Sequence, residues 1–580
     1  MFRSNKRHLQ PALISNINDL PEKRRQRLEA SWAGTFRREF FGRIHEEAFA
    51  VLYSDVPSRP NVPVNVVVSL DTLKAGFGWS DEELYDHFCF DLQVRYALGI
   101  HDLNESDFDL RTLYYFRERL SRYNLEQGTN LLTQAFEAIT DQQLTTLQVK
   151  TGKQRMDSTQ IASNILEMSR LQLLVEAVQR MQRNLSEGDQ QRYAETFAPY
   201  VQGHSGQYVY RIKGKEATQT HLQQIGEVIY DLLKDLRQGY AQEPAYQVLE
   251  RFFADNFRVE DQAVRPKANQ ELEASCLQSC DDLEATYRKK GVRTYKGYVA
   301  NLSETCDPDN EVQLITKVQV APNNTNDNSL LLAALPDLKD RTALETLYTD
   351  GPYAGPEVDQ ALRQHQVEQI QTGINGKILD PTKLYLADFE IEQNEQGVPT
   401  RMTCPQGQSV PVELSRRQRS YQADFDPALC LTCPFHLEAR CPAQPGKKRA
   451  SFRLSFTPNQ MAVAQRRRKM RQSKQDGKNP RAAIEGTVRE VKHPFPAGKL
   501  PVRGLFRMTC LMVSSAAMTN VRRIHHYWEE KRKQARQKMA AEQGPNAAPH
   551  QQDVSFCPFL KSLLIGRRSY IALPKAYLGF

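Results

Sequence analysis

Hydrophobic positions recur at helical spacing over the first part of the chain. Between residues 24 and 52, aromatic and aliphatic side chains form a stripe, which is typical of the buried face of a helix. Ser80 and Glu83 have the S-x-x-E spacing of a capping box at a helix start. Short helical patterns continue to Leu132. We therefore predict a helical N-terminal domain over residues 1–144.

The pattern changes to alternation, the spacing of β-strands, after residue 145. Leu147, Val149 and Thr151 alternate with polar residues, and residues 154–161 continue as a strand. Helical spacing returns over 166–289, which we interpret as a helical insertion. Beyond it the pattern predicts strands at 293–302 and 311–321, a helix from 329 to about 338, a strand at 344–349, a helix starting at Pro356 and a strand at 367–372. This order predicts a mixed α/β sheet layered with helices.

The last third of the chain changes character again. Residues 376–479 are rich in Gln, Pro and Arg and contain four clustered cysteines, so we interpret them as a second insertion. Asn479 is a suitable N-cap, and Pro480 a suitable first-turn residue, for a helix that ends before Pro494. An apolar helix is predicted over 503–527. The chain is thus divided into 1–144, a core formed by 145–165, 290–375 and 480–527, insertions at 166–289 and 376–479, and a basic, flexible C-terminal tail at 528–580.

Length and charge narrow the possible functions. With 580 residues, 40% of them hydrophobic, the chain can form several domains with ordinary cores. Its net charge is +8, but residues 446–540 hold 24 Lys and Arg against 5 Asp and Glu, so the remainder carries −11. Such a basic block predicts a polyanionic partner, with DNA or RNA as the first candidates. A solvated basic surface would have the same composition.

The sequence shows neither a signal-peptide pattern nor a membrane-spanning one. Met1 is followed by polar residues. The longest apolar run, 504–521, contains Arg507 and several Ser and Thr, and is interpreted as a buried helix. We expect no membrane association and a cytoplasmic, reducing environment, in which clustered cysteines favour metal binding over disulfides.

Two aspartates occupy positions that suggest chemistry. Asp350 ends a predicted strand, just before Gly351 and Pro352, where α/β sheets place site residues; an ordinary turn aspartate would also fit. Asp157 lies inside a predicted strand, where Asp is depleted. A lone carboxylate buried there needs a partner, and a metal ion is one candidate.

The helix predicted from Pro480 supplies a third acidic residue. Arg481, Glu485 and Lys492 fall on one face of that helix, although a surface ion-pair face has the same spacing. Three carboxylates on separate elements could hold two Mg²⁺ ions, which prefer a few carboxylates together with water and phosphate oxygens. Two such ions stabilise both the attacking and the leaving oxygen of a phosphodiester displacement.

Four stretches, in order, resemble the DDE transposases of bacterial insertion sequences. Residues 154–159 (QRMDST) resemble the strand of the first Asp, and residues 349–353 (TDGPY) resemble the end of the strand of the second Asp. Residues 282–298 resemble the block that leads into the second strand of the core. Residues 481–492 match the R-x3-E-x6-K part of the Y-R-E-K signature helix. The position of the signature Tyr is held by Lys478.

The resemblance implies a fold and an activity. It implies a ribonuclease H-like core with the catalytic triad Asp157, Asp350 and Glu485 around two Mg²⁺ (or Mn²⁺) ions, with Arg481 and Lys492 as phosphate contacts. The enzyme would cut double-stranded DNA at transposon ends and join the ends to target DNA. The N-terminal domain would bind transposon ends, and relatives act as homodimers or higher assemblies on DNA. In the cell the protein would be nucleoid-associated when bound to DNA.

Two other functions fit the same residues. A nuclease with the same core could cut DNA without strand transfer. A non-catalytic DNA-binding protein could descend from a transposase, although the intact acidic set argues against it.

Four cysteines are spaced for metal binding. Cys404, Cys430, Cys433 and Cys441 form C-x25-C-x2-C-x7-C, which suits tetrahedral Zn²⁺ in a structural site. Buried or free thiols are the alternative, and His436 is a possible substitute ligand. The six remaining cysteines are interpreted as packing residues.

A basic run precedes the predicted signature helix. It contains Arg466, Arg467, Arg468, Lys469 and Arg471, and we predict that it binds DNA phosphates without reading bases. A second run at 531–538 fits a solvated basic helix equally well.

Overall fold

The computed structural model describes residues 1–10, 15–56, 60–102, 108–373, 379–394, 396–416, 418–445, 451–475 and 480–542. By internal contacts the chain divides into two units, Met1–Tyr527 and Trp528–Phe580. In the second unit the described residues are the last part of one helix.

The chain begins with helices, as the hydrophobic spacing predicts. They are α1 (Glu22–Glu29), α2 (Trp32–Glu39), α3 (Val64–Phe77), α4 (Asp81–Phe90), α5 (Leu92–Ala97), α6 (Leu110–Gln127) and α7 (Leu131–Thr146). The predicted capping box is confirmed, because the Ser80 side chain accepts from the Glu83 amide and the Glu83 side chain accepts from the Ser80 amide.

A first strand and a helical segment follow. They are β1 (Lys153–Ala162), α8 (Arg170–Asn184), α9 (Glu187–Arg192), α10 (Ala194–Phe197), α11 (Ser205–Tyr210), α12 (Lys215–Tyr240), α13 (Pro244–Asn256) and the short ribbon β2 (Phe257–Glu260) and β3 (Ala263–Pro266). The helices bury their own hydrophobic cluster around Leu174, Ile225 and Leu249.

The chain then returns to the sheet that β1 started. These elements are β4 (Thr286–Lys290), β5 (Arg293–Thr305), β6 (Ile315–Pro322), α14 (Asp327–Thr342), β7 (Thr346–Thr349), α15 (Pro356–Gln364) and β8 (Glu368–Gln371). The sheet has the order β4-β5-β1-β7-β8, and β6 also pairs with β5. Strand β5 is antiparallel to β1, β4 and β6, whereas β1, β7 and β8 are parallel. The predicted mixed α/β class with a helical N-terminal region is thus confirmed.

Residues 379–475 form a second six-stranded sheet that the sequence pattern did not predict. Its elements are β9 (Glu390–Gln393), β10 (Pro399–Thr403), β11 (Ser409–Leu414), β12 (Tyr421–Phe425), α16 (Pro427–Leu431), α17 (Pro434–Leu437), β13 (Gln444–Pro445), β14 (Phe452–Phe456) and α18 (Pro458–Gln475). The strand order is β13-β14-β12-β11-β10-β9. A separate hydrophobic cluster around Phe389, Met402 and Phe425 lies in this part of the chain.

Two helices complete the described chain, α19 (Ile484–Lys492) and α20 (Leu505–Glu542). Residues of α20 up to Val521 share one hydrophobic cluster with the N-terminal helices and with Leu302 of β5. The other face of the sheet contributes Met156 and Leu347 to a smaller cluster with α14 and α15. The central sheet is therefore covered on both faces. No helix in the described part of the chain is long and apolar enough to span a membrane.

One local prediction was wrong, and one predicted helix differs in its first turn. The alternating residues 147–151 do not form a strand, because α7 continues to Thr146 and Gln148 then turns the chain in a left-handed conformation. The helix predicted from Pro480 begins as a 3₁₀ turn at Pro480–Ala483, and the α-helix starts only at Ile484. Asn479, its predicted N-cap, lies outside the described residues.

Candidate active site

Asp157 and Asp350 lie at the same level of two neighbouring parallel strands. Arg155 of β1 pairs with Tyr348 of β7, and each aspartate comes two residues later. Both carboxylates face one guanidinium: Nη2 of Arg481 is 3.3 Å from Oδ2 of Asp157 and 3.6 Å from Oδ2 of Asp350. Three of the predicted site residues are thus close together in the structure, although more than 320 positions separate the first from the last.

The local sequence explains how each aspartate is held. Side chains alternate along a strand, and Met156 is fully buried in the cluster beneath the sheet, so Asp157 points to the opposite face. The Ser158 amide donates to Oδ1 of Asp157 at 3.0 Å. In the same way, the Gly351 amide donates to Oδ1 of Asp350 at 2.8 Å. Each carboxylate is therefore oriented by the backbone of the next residue.

Gly373, just beyond β8, closes one side of the Asp350 carboxylate. A Cβ atom built on Gly373 would lie 2.7 Å from Oδ1 of Asp350, a distance that real Cβ atoms essentially never show. The main chain approaches the carboxylate so closely that only glycine fits without a shift.

The environment disfavours the charged form of Asp157. Burial raises the pKa of Asp157 above its ordinary value, and the nearby Asp350 raises it further. Arg481 and the Ser158 amide act in the opposite direction without cancelling the effect of burial. A divalent cation at this place would relieve the same penalty, because it would compensate the carboxylate charge.

Beneath the two aspartates lies a polar layer that our sequence reasoning missed. The Ser158 hydroxyl donates to Oδ1 of the buried Asp327 at 2.6 Å. The Tyr353 hydroxyl donates to Oδ1 of Asn301 at 2.7 Å. Burial first, and then Asp327 and Asp157, raise the pKa of Tyr353 well above its ordinary value, so this phenol stays neutral. The only sequence signal was the position of Tyr353 three residues after Asp350.

The α-helix that carries Glu485 packs against β1. Nζ of Lys492, at the end of α19, donates to Oγ1 of Thr159 at 3.1 Å and to the carbonyl of Gln160 at 2.9 Å. Burial lowers the pKa of Lys492. The Glu485 side chain is exposed, and among the described residues it makes no hydrogen bond or ion pair.

A buried carboxylate, Glu304 of β5, ties this helix to the sheet. Its side chain has no exposed surface and accepts from Nε of Arg155 at 2.6 Å and from Nη1 of Arg523 at 2.6 Å. The Thr487 hydroxyl of α19 lies 2.8 and 2.7 Å from its two oxygens. Glu304 therefore connects β1, α19 and α20. Sequence reasoning missed it, because nothing local marks a strand glutamate whose partners are remote along the chain.

The described residues contain no group of three or more His, Cys, Asp or Glu side chains arranged to hold a metal ion. Two of the three predicted ligands nonetheless face a single positive charge, and the third lies one helical turn after that cation in sequence. Carboxylate oxygens of this kind are the donors that Mg²⁺ prefers. The donor chemistry of the aspartate pair thus suits a divalent ion, and the role of Glu485 as a third ligand stays a prediction.

The four clustered cysteines surround one small cavity. Cys404, Cys430, Cys433 and Cys441 line a space of about 30 Å³, together with His436 and several aromatic residues. Burial, and then the neighbouring thiols of Cys441, Cys404 and Cys433, raise the pKa of Cys430 to about 11. The nine described cysteines form no disulfide; Cys557 lies outside the described residues. The four predicted cysteines therefore line one cavity, but in the described structure they are not arranged as a metal site, and zinc binding stays a prediction.

The basic run 466–471 lies on α18 and is largely neutralised within the chain. Ion pairs join Arg466 to Asp359, Lys469 to Glu368 at 2.7 Å and Arg471 to Asp388. Nη2 of Arg468 lies 3.9 Å from Glu390. The ion pairs thus connect α18, and with it the second sheet, to α15 and β8. DNA binding by the run stays a prediction.

The site and the fold together define a mixed α/β protein in which an aspartate within β1 and an aspartate just after β7 face one arginine. Residues 403–525, about a fifth of the chain, match the family model of the transposase DDE domain. This match supports the identification of the chain as a DDE-type transposase, as the resemblance predicts. The matched stretch includes Arg481, Glu485, Lys492 and the four cysteines, but neither Asp157 nor Asp350. No curated protein and no solved structure matches the chain.

Proposed function

We propose that this protein is a metal-dependent transposase that cleaves DNA at transposon ends and transfers the cut strands into target DNA. One observation carries the proposal: the carboxylates of Asp157 and Asp350 face the same guanidinium, that of Arg481, at the start of the segment bearing Glu485. The mixed sheet supports the ribonuclease H-like core that the resemblance implies. The transposase DDE match supports DNA as the substrate.

In this proposal Asp157, Asp350 and Glu485 hold two Mg²⁺ or Mn²⁺ ions. When bound, such ions activate water and stabilise the leaving oxygen of a phosphodiester. The chain's own contribution is placement: the amides of Ser158 and Gly351 orient the aspartates. Hydrolysis breaks a P–O3′ bond at the transposon end and leaves a 3′-hydroxyl and a 5′-phosphate. That 3′-oxygen then bonds to a phosphorus of the target DNA, while the target's P–O3′ bond breaks and its 3′-oxygen leaves as a hydroxyl.

Arg481 and Lys492 are assigned to the DNA. Arg481 stands between the two aspartates, so binding of divalent ions would release its guanidinium toward a phosphate oxygen of the substrate. Lys492 is fixed on β1 by Thr159 and Gln160, which supports a phosphate contact beside the acidic residues.

Cleavage by the purified full chain tests the triad. The substrate is a plasmid carrying the DNA that flanks its gene, with Mg²⁺ or Mn²⁺ added. We expect Asp157→Asn, Asp350→Asn and Glu485→Gln each to abolish cleavage while retaining DNA binding. Glu357→Gln, an exposed glutamate of α15, is the matched control and should cleave normally. Cleavage retained by Asp350→Asn would refute its metal role.

A strand-transfer assay separates the transposase from a nuclease of the same fold. Pre-cut ends with a free 3′-hydroxyl are mixed with a target plasmid and the wild-type chain. Joined products support transposition, whereas cutting without joining would favour the nuclease. DNA binding without either reaction would favour a non-catalytic descendant.

We further propose structural Zn²⁺ in the cysteine cavity, held by Cys404, Cys430, Cys433 and Cys441. The support is that all four cysteines line one space of about 30 Å³, large enough for one small guest. Their side chains would have to turn toward that space, because in the described structure they do not form a metal site. Metal analysis of the purified protein should find one zinc per chain, which Cys433→Ser should lose. Cys306→Ser is the control, since Cys306 is buried on the other sheet. Undiminished zinc in Cys433→Ser would contradict the assignment.

The role of the N-terminal domain and the assembly on DNA are proposed from the resemblance to DDE transposases. Residues 1–144 would bind transposon ends, and the protein would act as a homodimer or higher assembly on paired ends, associated with the nucleoid. Light scattering of the chain with and without end DNA tests the assembly; a monomer in both states would contradict it.

A further inference from the structure

A basic β-hairpin extends beyond the central sheet. It is formed by β4 and the first residues of β5, where Thr286–Lys290 pairs with Arg293–Gly297. Strand β1 pairs with β5 only from Gly297 onward. The first four residues of β5 therefore have β4 as their only strand partner in the described chain.

The hairpin is strongly and uniformly charged. Residues 286–297 contain five cations and neither Asp nor Glu, although the chain outside 446–540 is acidic overall. They are Arg288, Lys289, Lys290, Arg293 and Lys296. Lys289, Lys290 and Arg293 are exposed and form no ion pair with any described residue. Lys296 is anchored to the carbonyl of Met168, with Glu167 at 3.7 Å.

Two features of the tip are unfavourable for the isolated fold. Lys290 and Arg293 are directly opposite each other across the two strands, and like charges in that position destabilise a sheet. Val292 at the turn is 96% exposed, so an apolar side chain is left in water. A bound polyanion would neutralise the repulsion between Lys290 and Arg293, and an apolar surface in its groove would cover Val292.

Cations continue from the candidate active site toward the hairpin. Nζ of Lys492 contacts the carbonyl of Gln160, and Nζ of Lys499 contacts the carbonyl of Ile165 at 3.1 Å. Arg503 donates to the carbonyl of Asn164 and pairs with Asp281 at 3.5 Å. These contacts follow β1 and the residues after it, away from Asp157. Lys492 and Lys499 therefore continue a line of positive charge toward the hairpin, whereas the charge of Arg503 is balanced by Asp281.

The register gives the length of this line. Five residues separate Asp157 from Ala162, which pairs with Gly297, and four more separate Gly297 from Arg293. Nine strand residues span roughly 30 Å at about 3.3 Å each. A DNA duplex rises about 3.4 Å per base pair, so roughly nine base pairs fit between the acidic pair and the tip. A two-stranded ribbon also fits the major groove, which is about 12 Å wide.

We propose that the β4–β5 hairpin binds double-stranded DNA about nine base pairs from the scissile phosphate. Lys289, Lys290 and Arg293 contact phosphates, and Val292 reaches the groove. The inference rests on the proposed function for its substrate, but it concerns a surface that the site residues do not include.

The test measures the affinity of the full chain for a random-sequence DNA duplex of about 30 base pairs. Fluorescence anisotropy gives this affinity at several salt concentrations. The triple variant Lys289→Ala, Lys290→Ala and Arg293→Ala should reduce the slope of log affinity against log salt by about 2.7, which is about 0.9 per lost phosphate contact. Its melting temperature should not fall, because the opposed charges are gone. A matched control removes three exposed cations at the connection between α11 and α12, in Arg211→Ala, Lys213→Ala and Lys215→Ala, and should keep the wild-type slope.

Other outcomes would overturn the hairpin inference or the proposed function. An unchanged slope in the hairpin variant, or an equal loss in the control, overturns the hairpin inference while leaving the proposed function intact. Loss of affinity for an RNA duplex but not for DNA would also overturn it. If the wild-type chain binds no duplex DNA at all, the proposed function itself fails.

Discussion

A Cβ atom on Gly373 would lie 2.7 Å from Oδ1 of Asp350. The main chain after β8 is therefore packed directly against a carboxylate proposed to bind metal. Gly373 is not in left-handed backbone, since no positive φ is found for it. Its constraint is space alone, which makes the position a sensitive probe of the site.

We expect Gly373→Ala to lower the cleavage rate about 10²-fold, because a displacement of about 1 Å at a reacting centre can cost that much. The melting temperature should change little by comparison. Gly355→Ala is the matched control: it is in extended backbone, and its Cβ would meet only the Asn328 amide at 3.6 Å. Single-turnover cleavage by both variants checks the expectation. Equal rates for the two would show that Asp350 tolerates displacement.

Asp157→Asn should stabilise the protein at neutral pH. Burial raises the folded-state pKa of Asp157, so ionisation of this carboxyl opposes folding. The stability it contributes is complete below the unfolded pKa and is lost as the pH rises through the folded pKa. The asparagine of the variant carries no ionisable group, so the variant does not lose this stability. Its free energy of unfolding relative to wild type should rise with pH from near 3.8, the ordinary pKa of Asp, until Asp157 is ionised in the folded wild type.

Denaturant unfolding of wild type and Asp157→Asn at several pH values measures this difference. Asp359→Asn is a suitable control, since Asp359 is paired with Arg466 at a distance from the aspartate pair along the chain. A variant less stable than wild type at neutral pH would contradict the expectation, and would mean that Arg481 outweighs burial.

Glu304 should be among the most costly residues to change. Its carboxylate is fully buried between Arg155 and Arg523, and breaking a buried ion pair from one side costs about 3–5 kcal/mol. We expect Glu304→Gln to lower the free energy of unfolding by that order. Thr487→Val removes only the hydroxyl contact and should cost about 1 kcal/mol.

The control for Glu304 is the same substitution in a surface pair. Glu118 pairs with Arg122 on α6 at 3.2 Å, and both side chains are more than 60% exposed. Glu118→Gln should leave the unfolding midpoint almost unchanged, because such pairs contribute little. Similar midpoints for Glu304→Gln and Glu118→Gln would refute a stabilising role of the buried network.

The sequence predicted the aspartate pair because its signals are local. Asp350 was marked by the end of an apolar strand and a Gly-Pro turn, and Asp157 by its unusual place within a strand. Glu304 carries no such mark, since its partners Arg155 and Arg523 lie 149 and 219 positions away. The second sheet was missed because its strands have only two to six residues. In a segment that also contains Pro and Gly, such short strands show no clear alternation of hydrophobic and polar residues.

Composition alone did not show which cations of the basic run are already paired within the fold. Composition selected the basic run of α18, yet Arg466, Lys469 and Arg471 are paired with Asp359, Glu368 and Asp388. These partners come from distant stretches of the sequence, so the neutralisation is visible only in the fold. The β4–β5 hairpin has the same number of cations, five, but more of them lack an acidic partner among the described residues.

The ion pairs of α18 provide the last prediction. If the run binds DNA, phosphates must replace Asp359, Glu368 and Asp388, and each displaced pair opposes binding by roughly 0.2–1 kcal/mol. Asp359→Asn, Glu368→Gln and Asp388→Asn combined should then raise affinity for duplex DNA about tenfold, since about 1.4 kcal/mol corresponds to that factor. The triple neutralisation Glu187→Gln, Glu216→Gln and Asp231→Asn, all exposed on the helical segment, controls for net charge. A tenfold gain in affinity confined to the first variant would support DNA binding by the basic run. Equal affinities for the two variants would mean that the ion pairs of α18 only connect the two sheets.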